Sequence, residues 1–446
     1  MTAPTPLPST SSSTSPSISP TSLPVSVPMQ PPKPLKPLMP LTQALAELLA
    51  HAAPSERSES VSTFDADGRV LARDLVAALN VPVHDNSAMD GYAVRSSDWL
   101  ASNTVFNVDQ RIAAGSSGQP LGAMSAARIF TGAPIPVGAD AVIMQEDCDV
   151  TQGGGGSGGG ATLRLPVQPK PGQCIRRQGE DVRSGNAVLH KGERLAPASL
   201  GLVASIGFAQ VPVAPRVRVA LFSTGDELVM PGDVAPADMK PGAIYNSNRF
   251  FLRALLQRLG CVVTDMGIVP DKLDATIAAL AAASSGHDLV LTSGGVSVGE
   301  EDHIKPAVQA LGDLTLWQIA IKPGKPFAYG KIKTAHFIGL PGNPVSSFVT
   351  FVLLVRPFIL KLQGATRLAP ETIAACAHFD WPKADKRREF LRVRHNAAGG
   401  LDLFTNQSSG VLTSTVWGDG LVDHPAGQTI RHGDSVQFIS FGSLMA

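Results

Sequence analysis

The stretch VRVALFSTGDEL, residues 217–228, decides the fold class of this chain. It begins as a short apolar run, typical of a buried strand, and continues into polar residues around a glycine. Strand, turn and helix patterns then alternate along the chain. They comprise a helix in NRFFLRALLQRLG (248–260), a strand in CVVTDMGIV (261–269), a helix in DATIAALAAA (274–283) and a strand in DLVLTS (288–293). This alternation predicts an α/β fold in which a doubly wound parallel sheet carries helices on both faces.

Three of these strands end in polar or acidic residues: STGDEL (223–228), PD (270–271) and SGGVSVGEED (293–302). Ligands of parallel α/β sheets bind beyond the carboxyl ends of the strands, so these segments predict a site. Adjacent glycines let a phosphate approach the backbone, serine hydroxyls can donate to it, and carboxylates suit Mg²⁺. The alternative for the last segment is a glycine turn before a charged helix start. The candidates are Ser223, Thr224, Ser293, Gly294, Gly295 and Ser297 for substrate, and Asp226, Glu227, Asp271 and Asp302 for metal.

Two proline-bracketed turns follow, in AIKPGKPFAYG (320–330) and GLPGNPVSS (339–347). Lys322 and Lys325, held near glycine amides, suit a tetrahedral oxyanion or a phosphate. The second turn follows a strand and opens a long helix, whose free N–H groups also favour an anion. Ordinary loop turns with solvated lysines are the alternative. The further substrate-binding candidates are Pro341, Gly342, Pro344 and Ser346.

The nine residues DNSAMDGYA (85–93) contain two acids and a Gly-Tyr pair, and neither a helical nor a strand period runs through them. Such a segment either caps and turns the chain or holds a cation or polar ligand. The sequence pattern alone leaves both interpretations open.

Composition limits the function classes. The 446 residues predict several domains, because single cores rarely exceed about 250–300 residues. The 37 basic and 37 acidic residues balance, so we expect neither nucleic acid nor a membrane as partner. The four cysteines form no close pair and no CxxC motif, which argues against a zinc site or a disulfide framework and indicates a cytoplasmic location.

The remaining segments have simpler patterns. The Pro/Ser/Thr-rich residues 1–38 are expected to be a disordered tail, and GGGGSGGG (153–160) a loop between two strands. Short apolar runs from about 58 to 185 predict β structure. The apolar stretch 345–360 contains Arg356 and Pro357, so it predicts a buried helix, not a membrane span. Two other helices are predicted at 41–50 and 195–207.

Taken together, the motifs resemble those of the molybdopterin molybdenumtransferases, the MoeA-type enzymes related to the C-terminal domain of gephyrin. In the family's order, they are DNSAMDGYAVR (85–95), RIFTGAPIPVGADAVIMQED (128–147), GED (179–181), STGDEL (223–228), SGGVSVGEED (293–302), IKPGKPFAYG (321–330) and LPGNPVS (340–346). The resemblance implies insertion of molybdate into adenylylated molybdopterin, with release of AMP and molybdenum cofactor.

The resemblance also implies a multidomain architecture. Its parts would be an elongated linking domain (39–57 and 186–216), an inserted β-rich domain (58–185), the doubly wound molybdopterin-binding domain (217–368) and a C-terminal β-barrel (369–446). It implies a Mg²⁺ cofactor and molybdate as substrate. The implied partners are a second copy in a homodimer, the upstream adenylyltransferase, and molybdoenzymes or their chaperones.

Carried over position by position, the resemblance implies roles for individual residues. Arg392 and Ser408 would help to hold molybdate. Many family members have Lys after the tryptophan that precedes the KPGKP turn, whereas this chain has Gln318, so a cation there is absent or moved. The implied catalytic residues are Asp90, Thr131, Glu227, Asp271, Asp302 and Lys322.

Three other functions are compatible with parts of the pattern. A gephyrin-like scaffold would use the same fold to cluster partners, but Asp90, Glu227, Asp302 and Lys322 favour retained catalysis. A nucleotide-amide hydrolase on the same sheet would lack DNSAMDGYA and the inserted domain. A simple molybdate-binding protein would not need the acidic residues.

Overall fold

A computed structural model describes residues 38–152, 160–296 and 303–445. The predicted N-terminal tail up to residue 37 and most of the GGGGSGGG run therefore lie outside the described residues. The last part of SGGVSVGEED, from Ser297 to Asp302, lies outside them as well.

The first half of the chain contains many short strands and two helices, as the sequence predicts. The sheet formed in the order β7-β4-β6-β5-β9-β8 is the largest of this half, and the pairs β1–β12, β2–β11 and β3–β10 are two-stranded. The glycine run falls between β8 and β9, which pair antiparallel, so its prediction as an interstrand connection is confirmed. These elements are α1 (Leu41–Ala50), β1 (Glu59–Ser62), β2 (Leu75–Val76), β3 (Asn86–Ser87), β4 (Gly91–Val94), β5 (Val105–Ile112), β6 (Ser125–Ile129), β7 (Ala141–Met144), β8 (Asp149–Thr151), β9 (Ala161–Arg164), β10 (Ile175–Arg176), β11 (Ala187–Leu189), α2 (Pro197–Ser205) and β12 (Gln210–Val213).

The middle region contains the predicted alternation of strands and helices. Its strands form a six-stranded sheet in the order β16-β13-β17-β21-β20-β18. The elements are β13 (Arg218–Thr224), β14 (Leu228–Val229), β15 (Ile244–Tyr245), α3 (Asn248–Arg258), β16 (Val262–Val269), α4 (Leu273–Ser284), β17 (Leu289–Ser293), α5 (Ile304–Leu311), β18 (Gly312–Gln318), β19 (Ile321–Lys322), β20 (Pro326–Ile332), β21 (Ala335–Leu340), α6 (Pro344–Thr350), a π-helical turn (Phe351–Val355) and α7 (Arg356–Leu362).

The predicted parallel sheet is confirmed for the strands that the sequence identified, but the complete sheet is not parallel throughout. Strands β16, β13, β17 and β21 run parallel, but β20 is antiparallel to β21 and β18 is antiparallel to β20. Antiparallel neighbours need only a tight turn, whereas parallel neighbours need a crossover. The two residues between β20 and β21 supply such a turn, in which Lys333 has a φ of 55°. The sheet is therefore mixed, with its parallel part where the predicted site lies.

Helices cover both faces of this sheet, as predicted. Along β13, Val219 and Leu221 face a core shared with α1, α3 and the helix at 344–362, while Ala220 and Phe222 face a core shared with α4 and α5. This alternation follows from the period of two along a strand. Helix α1 joins the first core through Ala44 and Leu48, so the start of the described chain packs on the middle region.

The apolar stretch after residue 343 is a buried helix. Pro344–Leu362 is long and apolar enough to cross a membrane by length and composition, but 89% of its 18-residue window is buried inside the fold. The prediction of a core helix is confirmed.

The C-terminal region forms another six-stranded sheet, in the order β19-β23-β25-β26-β22, with β24 paired to β23. Strand β19 comes from the middle region and pairs in parallel with β23, which ties the two regions together. An isolated bridge also joins Ala377, next to β22, to Leu401 in β24. The remaining elements are β22 (Ile373–Cys376), β23 (Arg388–His395), β24 (Leu401–Leu403), α8 (Thr413–Trp417), β25 (Gly420–His424), β26 (Ser435–Ser440) and α9 (Phe441–Met445).

Candidate functional site

A cleft of about 690 Å³ lies beyond the carboxyl ends of β13, β16 and β17, where the sequence predicted a site. The loops after all three strands line it, because neighbouring parallel strands end at the same edge of the sheet. Its lining includes the predicted residues Ser223, Thr224, Glu227, Asp271, Ser293, Gly294, Gly295, Pro341, Gly342, Pro344 and Ser346.

The two glycines after β17 are required by backbone geometry. Gly294 has a φ of +95° and Gly295 a φ of +67°, a region that favours glycine. A Cβ on Gly294 would lie 2.8 Å from the carbonyl oxygen of Thr224, so no side chain fits between the ends of β13 and β17. The turn therefore exposes bare backbone to the cleft, as phosphate-binding loops do.

Asn248, at the start of α3, connects two walls of the cleft. Its Nδ2 donates to Ser293 Oγ and to the Gly342 carbonyl, each at 2.7 Å. The first bond reaches the end of β17 and the second reaches the loop before α6. Since Asn248 is 8% exposed, water competes little for these bonds. This residue holds the glycine turn and the Pro341–Pro344 loop in register.

Two buried polar atoms in the cleft have no hydrogen-bond partner among the described residues. They are Ser223 Oγ and Asn246 Nδ2. The amide of Asn246 is oriented by its Oδ1, which accepts from the Arg249 N–H at 3.2 Å. A buried unsatisfied polar group costs about 1–3 kcal/mol. Such groups in a cleft indicate a place where a polar ligand contributes the missing bonds.

Of the predicted acidic residues, Glu227 and Asp271 line one edge of the cleft, and Asp226 lies next to them outside the lining. The Asp271 N–H donates to Asp226 Oδ1 at 3.1 Å, so the loops after β16 and β13 are in contact. The Glu227 carboxylate folds back over Gly225, where an added Cβ would lie 2.5 Å from Glu227 Oε2. Asp226 and Glu227 are exposed. No described group of three or more His, Cys, Asp or Glu side chains could hold a metal ion alone.

Lys322 lies in an ion-pair cluster. Its ammonium is 2.9 Å from Glu389 Oε1 and 3.4 Å from Asp385 Oδ2. Glu389 is 1% exposed, and its other oxygen accepts from Trp381 Nε1 at 2.7 Å. Hydrogen bonds from Arg387 hold the pKa of Asp385 well below its usual range, so Asp385 is charged near neutral pH. Lys322 and Arg387 each already have a carboxylate partner in this cluster, so only part of the Lys322 charge is available to an oxyanion.

The second predicted lysine and the helix start are arranged differently. Lys325 is exposed, and the adjacent Pro326 lines the cleft. At the start of α6 the Val345 N–H donates to the Ser409 carbonyl at 2.9 Å. The expected set of free helix N–H groups is therefore smaller than predicted, because a C-terminal loop already uses one. That loop also brings Gly410 to the cleft.

Arg392 supports this C-terminal loop from beneath. Its guanidinium is 1% exposed and donates to the carbonyl of Ser408 at 3.4 Å, to Ser414 Oγ at 3.1 Å and to the carbonyl of Phe390 at 3.0 Å. Burial lowers the pKa of Arg392 to about 10. With its donors turned inward, Arg392 acts here on the loop that reaches the cleft.

The segment DNSAMDGYA lies in the first half of the chain and contains both predicted kinds of interaction. Asp85 is held locally, by Arg177 Nη1 at 2.6 Å and the Gln178 N–H at 2.8 Å. Asp90 Oδ1 accepts from the N–H and hydroxyl of Thr131, at 2.8 and 2.7 Å. These bonds, with the backbone N–H first, lower the pKa of Asp90. No hydrogen bond joins the described residues 77–185 to those after 216.

Sequence reasoning located the cleft but missed Asn246, Asn248 and Glu389. The asparagines lie in YNSNRF (245–250), where the predicted helix 248–260 begins, and asparagine is common at the start of a helix. Glu389 is the one acid in the strand REFLRVRH (388–395), next to the apolar pair Phe390 and Leu391, and this lone acid was the available signal. Ser297 and Asp302 lie outside the described residues, so their predicted roles stay predictions.

Three family descriptions match successive parts of the chain. Residues 39–207 match the MoeA N-terminal region (domain I and II), residues 220–361 a probable molybdopterin binding domain, and residues 374–441 the MoeA C-terminal region (domain IV). The molybdopterin molybdenumtransferase of Haemophilus influenzae is 44% identical over 356 residues, covering 80% of this chain and 85% of that protein. The chain belongs to the MoeA family.

Other members of the MoeA family extend the match. The molybdopterin molybdenumtransferase of a Nostoc species is 33% identical over 418 residues, covering 89% of this chain and 93% of that protein. A crystal structure of the molybdopterin biosynthesis MoeA protein from Pyrococcus horikoshii matches with a TM-score of 0.77 and 29% identity, over 91% of this chain and all of that one (100%). The sequence-based identification of the family and its multidomain fold are confirmed.

Proposed function

We propose that this protein is a molybdopterin molybdenumtransferase of molybdenum cofactor biosynthesis. It would insert molybdate into adenylylated molybdopterin and release AMP and molybdenum cofactor. Membership of the MoeA family along nearly the whole described chain supports this proposal. In the structure, the cleft supports the proposal, because its Ser223 Oγ and Asn246 Nδ2 are buried without partners beside a glycine turn.

The cleft suits a phosphate-bearing ligand in its size and polarity. Bare backbone at Gly294 and Gly295 accommodates a phosphate, and Ser223, Thr224 and Asn246 line the adjoining wall. Pro341, Gly342, Pro344 and Ser346 close the opposite side, held in register by Asn248. In this arrangement the side chains orient the ligand, and no nucleophilic triad is needed.

The acidic edge fits a divalent cation shared with substrate. Mg²⁺ commonly takes one or two protein carboxylates together with substrate phosphates, and it keeps several waters. Asp226, Glu227 and Asp271 offer such carboxylates beside the glycine turn, and Asp302 is a further proposed ligand. When bound, Mg²⁺ would offset phosphate charge and polarise the bond to AMP. The protein carboxylates would orient that bond against the cleft wall.

The oxyanion is assigned to the side of the cleft nearest the lysines. Lys322 and Lys325 would supply positive charge to molybdate, with Ser346 and the amides near Gly342 as donors. For Lys322 this requires its ammonium to be shared between the dianion and the Glu389 carboxylate. Arg392 and Ser408 would assist by shaping the loop that ends at Gly410.

Asp90 and Thr131 are proposed to reach the reaction from a second copy of the chain. Their region makes no hydrogen bond with the cleft region among the described residues. A homodimer that joins the inserted domain of one subunit to the cleft of the other would bring them together.

We also propose that the domains divide after residues 57, 185, 216 and 368, and that the C-terminal sheet closes as a barrel through the bridge between Ala377 and Leu401. A cytoplasmic location is proposed as well. Contacts with the adenylyltransferase and with molybdoenzymes or their chaperones complete the proposal.

The direct test is incubation of the purified full-length chain with adenylylated molybdopterin, Mg²⁺ and molybdate. We expect AMP release and formation of molybdenum cofactor, both dependent on molybdate. Glu227→Gln is the matched inactive variant, because it keeps the size of an exposed side chain and removes only its charge. Substrate binding without AMP release would instead support the gephyrin-like scaffold, and molybdate binding alone would support a molybdate-binding protein.

A further inference from the structure

Two arginines lie side by side on the six-stranded sheet β7-β4-β6-β5-β9-β8 of the first half of the chain, which we call the inserted sheet. Arg111 on β5 and Arg128 on β6 are direct register partners, and Tyr92 on β4 is the partner of Arg128 on the other side. Side chains of paired residues on neighbouring strands point to the same face of a sheet. The sequence order Arg128, Ile129, Phe130 places Phe130 on that face as well.

Phe130 contacts both guanidinium groups. Its ring centre lies 4.5 Å from Arg111 Cζ and 4.8 Å from Arg128 Cζ, and Arg128 Cζ is also 5.1 Å from the ring of Tyr92. A guanidinium stacked on an aromatic ring keeps its in-plane N–H donors available at the edge. The rings thus hold two five-donor groups in a fixed orientation.

Neither arginine forms an ion pair with a carboxylate among the described residues. Arg128 donates to the carbonyl of Gly91 at 3.0 Å and to Gln145, both neutral acceptors. The exposed side chain of Arg111 forms no hydrogen bond with the described part of the chain. By contrast, Arg164 on the same sheet pairs with Asp149 at 2.7 Å. Two adjacent positive charges without a carboxylate ion pair attract an anion more strongly than either alone.

We propose that Arg111, Arg128 and Phe130 form a binding site for a phosphate ester on the inserted sheet. Planar guanidinium groups match phosphate oxygens in a bidentate way, and an adjacent ring accommodates the organic part of the ester. The Arg128 guanidinium also interacts electrostatically with the Asp90 carboxylate, so the ester would lie near Asp90. The assignment of that ester to the nucleotide part of adenylylated molybdopterin rests on the proposed function. Recognition of a phosphate group by the two arginines does not depend on that function.

A local chemical probe tests recognition without any assay of activity. Phenylglyoxal modifies exposed arginines, and the modified peptides are quantified by mass spectrometry. With AMP present, we expect Arg111 in the full-length protein to react with phenylglyoxal at least about threefold more slowly. Arg164 should keep its rate. Inorganic phosphate should protect Arg111 less than AMP does. Equal rates at Arg111 with and without AMP would overturn the site. Protection by molybdate but not by AMP would overturn its assignment to a phosphate ester.

Substitution then tests the link to the reaction. Arg111→Ala should raise KM for adenylylated molybdopterin about tenfold with little change in kcat, because a remote charged contact to the substrate is lost. Arg111→Lys should recover part of this loss, since it keeps the charge without the planar fork. Arg164→Ala is the matched control on the same sheet. Unchanged KM in an active Arg111→Ala protein would contradict the role in this substrate. An inactive wild-type protein would instead refute the proposed function and leave the probe experiment valid.

Discussion

The cleft on the mixed sheet and the DNSAMDGYA segment in the first half of the chain differ in how their polar and acidic side chains are held, although each contains a buried atom without a hydrogen-bond partner, which in the segment is Asn86 Oδ1. In the cleft, Ser223 and Asn246 are buried without partners. In the DNSAMDGYA segment, the half-buried Asp85 is held by Arg177 and by the Gln178 N–H, which are 92 and 93 residues away in sequence. The polar atoms of the cleft therefore suit a ligand, whereas most of the segment belongs to the fold through strands β3 and β4.

Asp90 is the exception within its segment. Both of its described hydrogen bonds, from the Thr131 N–H and hydroxyl, end on Oδ1. Its Oδ2 has no hydrogen bond with the described residues. One oxygen is thus fixed while the other is available, which is how a carboxylate is oriented towards a reacting group. The two acids of one short motif therefore have separate tasks, one structural and one proposed to be chemical.

The largest expected effect tests whether Asp90 and the cleft serve one reaction. Asp90→Asn and Glu227→Gln should each lower AMP release by at least about 100-fold, since each removes a charge proposed to act on the substrate. When the two inactive proteins exchange subunits, about half of the dimers are mixed, and each mixed dimer has one intact composite site. About a quarter of wild-type activity should return.

Subunit exchange must first be demonstrated by mass. If exchange occurs and activity stays at the level of the parent variants, the two regions do not combine across subunits. Each variant mixed with itself is the control, because it undergoes the same exchange without restoring a site.

The next effect concerns Lys322, which has a carboxylate partner in the fold and also a proposed role towards the ligand. Lys322→Ala should lower the free energy of unfolding by about 2 kcal/mol, because Glu389 is left buried without its cation and solvent screens only part of the cost. Urea denaturation measures the loss. Lys322→Ala with Glu389→Gln should recover much of it, and Lys325→Ala, at an exposed position, should cost little. Unaltered stability in Lys322→Ala would mean that the pair is not a stabilising feature.

A third test concerns the bridge across the cleft. Asn248→Ala should cost about 1–2 kcal/mol of stability, because Ser293 Oγ loses its buried donor. It should also raise KM for adenylylated molybdopterin, since the glycine turn and the Gly342 loop lose their common support. Thr276→Val removes a comparable buried hydrogen bond on α4, and should lower stability without changing KM. If both variants change KM equally, Asn248 has no specific positioning role.

The smallest expected effect separates the two acids of the motif by pH. The Gln178 N–H, and then Arg177, lower the pKa of Asp85 below its usual 3.8. The stabilisation is complete above that value and is lost as pH falls through the lower folded-state pKa. Asp85→Asn should therefore flatten the acid limb of the stability curve by at most about 1 kcal/mol after solvent screening. Thermal melts between pH 5 and 2 measure this. Asp85→Asn should keep its activity at neutral pH, whereas Asp90→Asn should not.

The sequence by itself determined most of the local structure and the position of the cleft. Short apolar runs identify the buried strands β13 and β17, and apolar residues at helical spacing identify α3 and α4, because burial depends on that pattern. Polar residues at three strand ends identified the site, since parallel strands end together. The ordered motifs identified the family.

Only the tertiary structure decided which distant side chains meet. In it, β20 and β18 are antiparallel to their neighbours, α1 packs on the middle region, and β19 pairs with the C-terminal sheet. The pairing of β19 with β23 brings Lys322 to Glu389, which is 67 residues away in sequence. Separately, the packing of α3 brings Asn248 to Gly342, which is 94 residues away. Local periodicity encodes which face of an element is buried. It contains no information on which neighbour buries it, because that choice depends on the packing of the whole chain.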